Sequence, residues 1–175
     1  MKLIYIIIAS IFLQLSDCDN NNQVVSDCDN NQVVSNILFG LDMSKPNKQL
    51  ITQLKSDTRF TNYIRNTREL PGTGMTVTTA DFDFSDHPIV KKKGSIKIYE
   101  TSDNGMSDIG FYFICKTEDE AKKAFQILSS ELNKGCFEKK KWGEESVDYK
   151  STKVSVYLSY KNFGTYTSLS INIDK

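Results

Sequence analysis

Histidine is almost absent from this chain: its 175 residues contain one, His87. That excludes the histidine-rich zinc sites of catalytic and structural metal centres and leaves a single imidazole as a candidate base. An excess of charge of either sign is lacking as well. Lys and Arg together number 22, Asp and Glu together 22, and the formal net charge is zero. Nucleic-acid binders carry a basic field that neutralises phosphates, so nucleic acid is not an expected partner. The runs Lys91-Lys92-Lys93 and Lys139-Lys140-Lys141 are too short to supply such a field and read as solvated loops. Only one long apolar run is present, residues 3–13, broken only by Ser10. Eleven helical residues reach about half the hydrocarbon thickness of a bilayer, too short for a permanent span.

Cysteine is scarce and unfavourably placed for cross-linking. Cys115 falls at the end of an expected strand and Cys136 past the far end of an expected helix of about sixteen residues, which separates them by about 24 Å. A disulfide needs its Cα atoms within about 7 Å, so no Cys115–Cys136 bridge and no disulfide framework are expected. Cys115 lies beside Phe111 and Phe113 and reads as a small core hydrophobe rather than as half of a Cys–His dyad with His87.

What is present fits one soluble domain behind a leader. Hydrophobic residues make up 39% and charged residues 25%, ordinary values for a globular chain. Lys2 and the apolar run behind it predict a signal peptide over residues 1–17. Leu15-Ser16-Asp17-Cys18 resembles the lipobox of bacterial lipoproteins through Leu15, Ser16 and Cys18, whereas Asp17 stands where a small residue is usual. The resemblance covers only this leader. It implies that Cys18 becomes the lipidated first residue, with a membrane as partner and the cell envelope as the location; secretion in soluble form is the alternative.

A tandem duplication follows. Residues 16–25 read SDCDNNNQVV and residues 26–34 read SDCDNNQVV. The Asp, Asn and Gln content favours a flexible polar tether over residues 18–36, with Cys28 as a spare thiol in it. The folded domain is expected over residues 37–175.

Within that domain, Ser44 and Pro46 signal a helix start, and Leu50, Ile51 and Leu54 give the helix an apolar face. Phe60, Tyr63 and Ile64 have i, i+3, i+4 spacing and predict a second short helix. From Met75 the period becomes two, predicting strands over 75–84, 95–100 and 109–116, with Asp103-Asn104-Gly105 as a turn. Thr117 and Glu120 form a capping box for a helix with Ala121, Ala124, Phe125, Leu128 and Leu132 on one stripe. A closing hairpin is expected over 152–161 and 165–174, turning at Asn162-Phe163-Gly164. The expected fold class is α+β: an antiparallel sheet built from hairpins, one main helix across one face, and short N-terminal helices.

Two surfaces carry candidate chemistry. Alternation places Tyr99, Tyr112, Ile114, Tyr157 and Tyr166 among serines on the face away from the main helix, a composition suited to binding. Asp81, Asp83, Asp86 and His87 form the densest set of potential metal ligands, although no EF-hand spacing is present. Leu70-Pro71-Gly72-Thr73-Gly74 matches a cell-wall sorting motif in letters only, since a folded domain follows it. No cofactor is expected. The preferred reading is a non-catalytic binding or interaction module, with a protein partner among its expected ligands. The alternatives are a metal-dependent enzyme using the 81–87 cluster and an immunity or inhibitor protein.

Overall fold

The computed structural model describes residues 29–38, 40–68, 75–87, 92–101 and 108–175. The leader, the lipobox, the first repeat copy, the Leu-Pro-Gly-Thr-Gly stretch and the Asp103-Asn104-Gly105 turn lie outside them.

The fold is α+β. Eight strands, β1 (Phe60–Arg68), β2 (Met75–Asp83), β3 (Lys93–Thr101), β4 (Asp108–Cys115), β5 (Glu138–Lys141), β6 (Ser146–Lys150), β7 (Ser155–Asn162) and β8 (Thr167–Asp174), form one sheet. Its order is β1-β2-β3-β4-β8-β7-β6-β5, and every neighbouring pair is antiparallel. Two four-stranded meanders are thus joined edge to edge through β4 and β8. The helices are α1 (Asn30–Ile37), α2 (Asn47–Ser56) and α3 (Glu118–Leu132).

α3 connects the meanders and begins as its sequence requires. The Thr117 hydroxyl accepts from the Glu120 backbone N–H at 3.2 Å. The Glu120 carboxylate reaches back to the Lys116 N–H at 2.7 Å and pairs with Lys92. The Thr117 bond satisfies one orphan helix donor, the Glu120 bond holds the N–H just before the cap, and three acidic residues in the first turn complement the helix dipole. The stripe Ala121, Ala124, Phe125, Leu128 and Leu132 is buried. Beneath it, Val156 faces Ile173 and Leu158 faces Ile171 across β7 and β8, and Phe111 and Phe113 continue the layer on β4. At the other end Phe82 stacks on Phe84 at 4.2 Å, with Phe60 edge-on to both. One continuous core contains all of these side chains.

Several expectations are corrected. Residues Phe60, Tyr63 and Ile64 belong to strand β1, not to a helix. The register of β1 slips between Thr61 and Ile64, and Asn62 takes φ of 53° there. The extra residue of this bulge turns a two-residue alternation into an i, i+3 repeat, which imitates helical spacing. Ser44 does not cap α2: its hydroxyl and N–H are engaged by Asp42, and Pro46 stands at the N-cap without a side-chain bond. Lys139, Lys140 and Lys141 form edge strand β5 rather than a loop. Lys92 and Lys93 are likewise not merely solvated, since they pair with Glu120 and Asp83.

A further correction concerns the second copy of the repeat. From Asp29 onward it is folded. The Asp29 carboxylate caps α1 by accepting from the Gln32 N–H at 3.0 Å. Val34 and Ile37 are fully buried in the common core, and α1 packs on α3. The side chain of Asn30 clamps the backbone of Cys136, accepting from its N–H at 2.9 Å and donating to its carbonyl at 3.3 Å. Cys136 is disulfide-bonded, whereas Cys115 is a free buried thiol. The absence of a Cys115–Cys136 bridge therefore agrees with the sequence reading, but the absence of any disulfide does not.

If α1 is part of the fold rather than a tether, Val34→Ala destabilises the domain by about 1–3 kcal/mol, for the two buried carbons lost and the cavity they leave. Urea unfolding of the full chain measures this; a change below about 0.5 kcal/mol would return the segment to a tether.

Candidate functional site

α1, α2 and α3 all contribute to the one core on one side of the sheet. No described element packs on the other side, and this open face is where the sequence placed its tyrosines. Strand period explains the segregation. In β4, Ile109, Phe111 and Phe113 are buried, while Tyr112 and Ile114 turn outward, with Ile114 66% exposed. In β7, Val156, Leu158 and Tyr160 are buried and Tyr157 turns outward.

A groove of about 480 Å³ lies on this face where β3, β4, β8, β7 and β6 run side by side. Tyr99, Tyr112 and Tyr157 line it. Tyr112 lies back along its own strand over Gly110, where an added Cβ would meet the phenol oxygen at 2.6 Å. Its hydroxyl donates to Asn172 at 3.3 Å, and Lys97 sits over its ring at 5.3 Å. Burial and the neighbouring Tyr99 push the Tyr112 phenol up to about 12, so it remains a protonated donor at any physiological pH.

Three carboxylates, Asp108, Asp148 and Asp174, also line the groove. Asp148 pairs with Lys150 at 3.4 Å. Asp108 and Asp174 are direct cross-strand partners between β4 and β8. Like charges placed opposite each other are unfavourable, which makes this end of the groove receptive to donors and cations. The sequence reading missed these carboxylates. Asp108 and Asp174 share the parity of Tyr112 and Asn172, so extending the alternation to the strand ends would have found them; Asp148 lies on β6, a strand the sequence reading did not place.

Tyr166 does not join the groove. It sits in the β7–β8 turn, stacked on Phe163 at 5.1 Å, with Gly164 at φ of 84° between them. The strand β8 begins only at Thr167, so alternation could not be extended to Tyr166.

Nor does the structure bring all four of the 81–87 candidates together. Asp81 and Asp83 line a second concavity of the open face, about 630 Å³, beside Asn62, Lys93 and Ile114. Asp81 accepts from the Asn62 amide at 2.8 Å. Asp83 pairs with Lys93 at 2.7 Å and accepts from the Ser85 hydroxyl and N–H. His87 belongs elsewhere: burial lowers its pKa, opposed by a hydrogen bond with the backbone of Asn36 in α1. Asp86 is exposed in the turn between them. Among the described residues, no group of three or more His, Cys, Asp and Glu side chains is placed to hold a metal ion. Cys115 is buried and its pKa is raised by that burial, the reverse of what a nucleophilic thiolate requires. No known protein family, curated protein or solved structure matches this chain.

The Lys93 bond, followed by those from Ser85, lowers the Asp83 carboxyl to about 2. A carboxylate depressed in the folded state stabilises it above the unfolded pKa, and that contribution is lost as pH falls from about 4 toward 2. NMR titration of the wild type should place Asp83 near 2, and Lys93→Ala should raise it toward the ordinary carboxylate range. An unchanged Asp83 titration in the variant would refute the Lys93 assignment.

Proposed function

We propose that this protein is an exported, lipid-anchored, non-catalytic binding module of the cell envelope, and that the open face of its sheet is the ligand surface. The observation that carries the binding role is the asymmetry of the sheet. One face is sealed by three helices, while the other holds Tyr99, Tyr112 and Tyr157 around a concave groove rimmed by carboxylates. Tyrosines offer large contact area with few rotatable bonds, and neighbouring Ser, Asn and Asp side chains supply orienting hydrogen bonds. The groove lacks an activated nucleophile, and its Tyr112 phenol is held in the neutral form; both favour recognition over reaction.

Export and anchorage rest on the apolar run over 3–13 and on the resemblance of Leu15-Ser16-Asp17-Cys18 to a lipobox. Among the described residues no helix is long and apolar enough to cross a membrane. A lipid on Cys18 would therefore be what holds this domain at a membrane surface.

Two measurements test the reading. Radiolabelled palmitate should mark the wild-type protein in the membrane fraction, and Cys18→Ala should abolish both label and membrane retention. A wild type that is soluble and unlabelled overturns the anchor. For the binding face, the full chain is used as bait on an envelope extract, beside the double variant Tyr112→Ala, Tyr157→Ala. The variant should keep a thermal midpoint within a few degrees of wild type, because Tyr157 is exposed and Tyr112 only half-buried. It should lose the ligands that wild type retains; equal retention by both rules the face out.

A further inference from the structure

We propose that the groove on the open face binds a small organic ammonium ion, its charged head between Asp108 and Asp174 and its carbon chain against Tyr157. This rests on the reading of that face as the ligand surface and adds the charge and class of the ligand.

Two adjoining cross-strand rows make up the floor of the groove. In one, Gly110 stands opposite Asn172, and Asn172 opposite Tyr157. In the next, Asp108 stands opposite Asp174, and Asp174 opposite Ser155. Directly opposed side chains of an antiparallel pair have Cβ atoms about 4.5–5.5 Å apart, so one end of the groove presents two close carboxylates to solvent. Every lysine nearby is engaged elsewhere. Lys150 pairs with Asp148 at 3.4 Å, Lys175 donates to the Lys45 carbonyl at 2.7 Å, and Lys97 lies over the Tyr112 ring at 5.3 Å. Among the described residues neither Asp108 nor Asp174 has a salt bridge. Opposed like charges are destabilising, so the empty groove carries an unfavourable contact that a cation between them turns favourable.

The surroundings select the kind of cation. Calcium takes about six to eight oxygen ligands and zinc about four donors. Two carboxylates fall short of either, and among the described residues no group of three or more acidic, His or Cys side chains is placed for a metal. An ammonium head instead brings three N–H donors. These match the two carboxylates and the amide oxygen of Asn172, which accepts from Tyr112 and keeps a second lone pair. Beside this polar end, Tyr99 and the 39% exposed Tyr157 offer ring surface to a hydrocarbon chain. The chain's own Lys97 already shows the pairing of an ammonium with a ring of this groove. An anion is repelled here, and a neutral ligand leaves Asp108 and Asp174 opposed. A volume of about 480 Å³ suits a small organic molecule.

Isothermal titration calorimetry of the full mature chain with n-hexylammonium chloride should give a saturable heat. The uncharged n-hexanol and calcium chloride should give none. Asp108→Asn should weaken n-hexylammonium by about tenfold or more, the effect of losing a charge-assisted hydrogen bond. Its thermal midpoint should equal or exceed that of wild type, because the substitution removes the opposed like charges. Tyr157→Ala should weaken binding severalfold. Asp86→Asn makes the same change of net charge in an exposed turn and should leave binding unchanged. Equal heat from hexanol or calcium, unchanged binding in Asp108→Asn or Tyr157→Ala, or equal weakening by Asp86→Asn overturns the proposal. No heat with n-hexylammonium, alongside capture from an envelope extract that depends on Tyr112 and Tyr157, refutes the ammonium class and leaves the binding face standing. No heat together with equal retention by wild type and the tyrosine variant refutes both.

Discussion

The pairing of β4 with β8 is the contact on which the rest of this structure depends. Each meander closes through neighbours in sequence, but β4 and β8 bring together segments about sixty residues apart and turn two four-stranded sheets into one. On its inner side the joint presents Phe111 and Phe113 opposite Ile171 and Leu169. That apolar row is what α3 covers. On its outer side the same joint places Tyr112 opposite Ser170 and Asp108 opposite Asp174. A one-residue slip would exchange the two rows and drive the aromatic core into water, so register is set by burial. The groove inherits its geometry from a constraint imposed by the core.

Most of the architecture was legible because local rules and burial agree. The capping box at Thr117 and Glu120, the stripe of α3 and the alternation of β2, β3, β4, β7 and β8 all give the same reading from chemistry and from packing. The failures share a cause: a local signal that was correct but ambiguous. The bulge at Asn62 produced helical spacing in a strand. Edge strand β5, with both faces exposed, offers no alternation to detect, and its lysines serve the edge by discouraging pairing with another chain. The Asp/Asn-rich repeat looked like a tether because its polar residues hide a core residue, Val34, with Ile37 following just beyond the repeat. Its second copy uses those polar groups as a cap and a clamp.

The candidate site was legible in part for the same reason. Tyr99, Tyr112 and Tyr157 share strand parity, and parity is a long-range property once register is set. Tyr166 failed because a turn intervenes. The cluster from Asp81 to His87 failed because a strand end and a turn separate its members: the two aspartates face out beside Lys93 and Asn62, while His87 faces α1. Adjacency in sequence is poor grounds for a metal site when the backbone alternates.

The character of the open face bears on what could bind there. A permanent partner usually covers a surface as apolar as a bisected core, and such a face would carry several fully exposed aliphatic side chains. Here, among the described residues, the exposed large aliphatics of this face are Ile114 on β4 and Ile64 on β1, and Ile114 lies beside Ser95, Asn62, Lys93 and Asp81. Tyr112 keeps its ring half-covered along Gly110 and directs its hydroxyl toward Asn172. Such a surface stays soluble while empty and gains orientation when filled. It suits a ligand that arrives and leaves, held by ring faces, hydrogen bonds and a patch of negative potential, better than a subunit that remains.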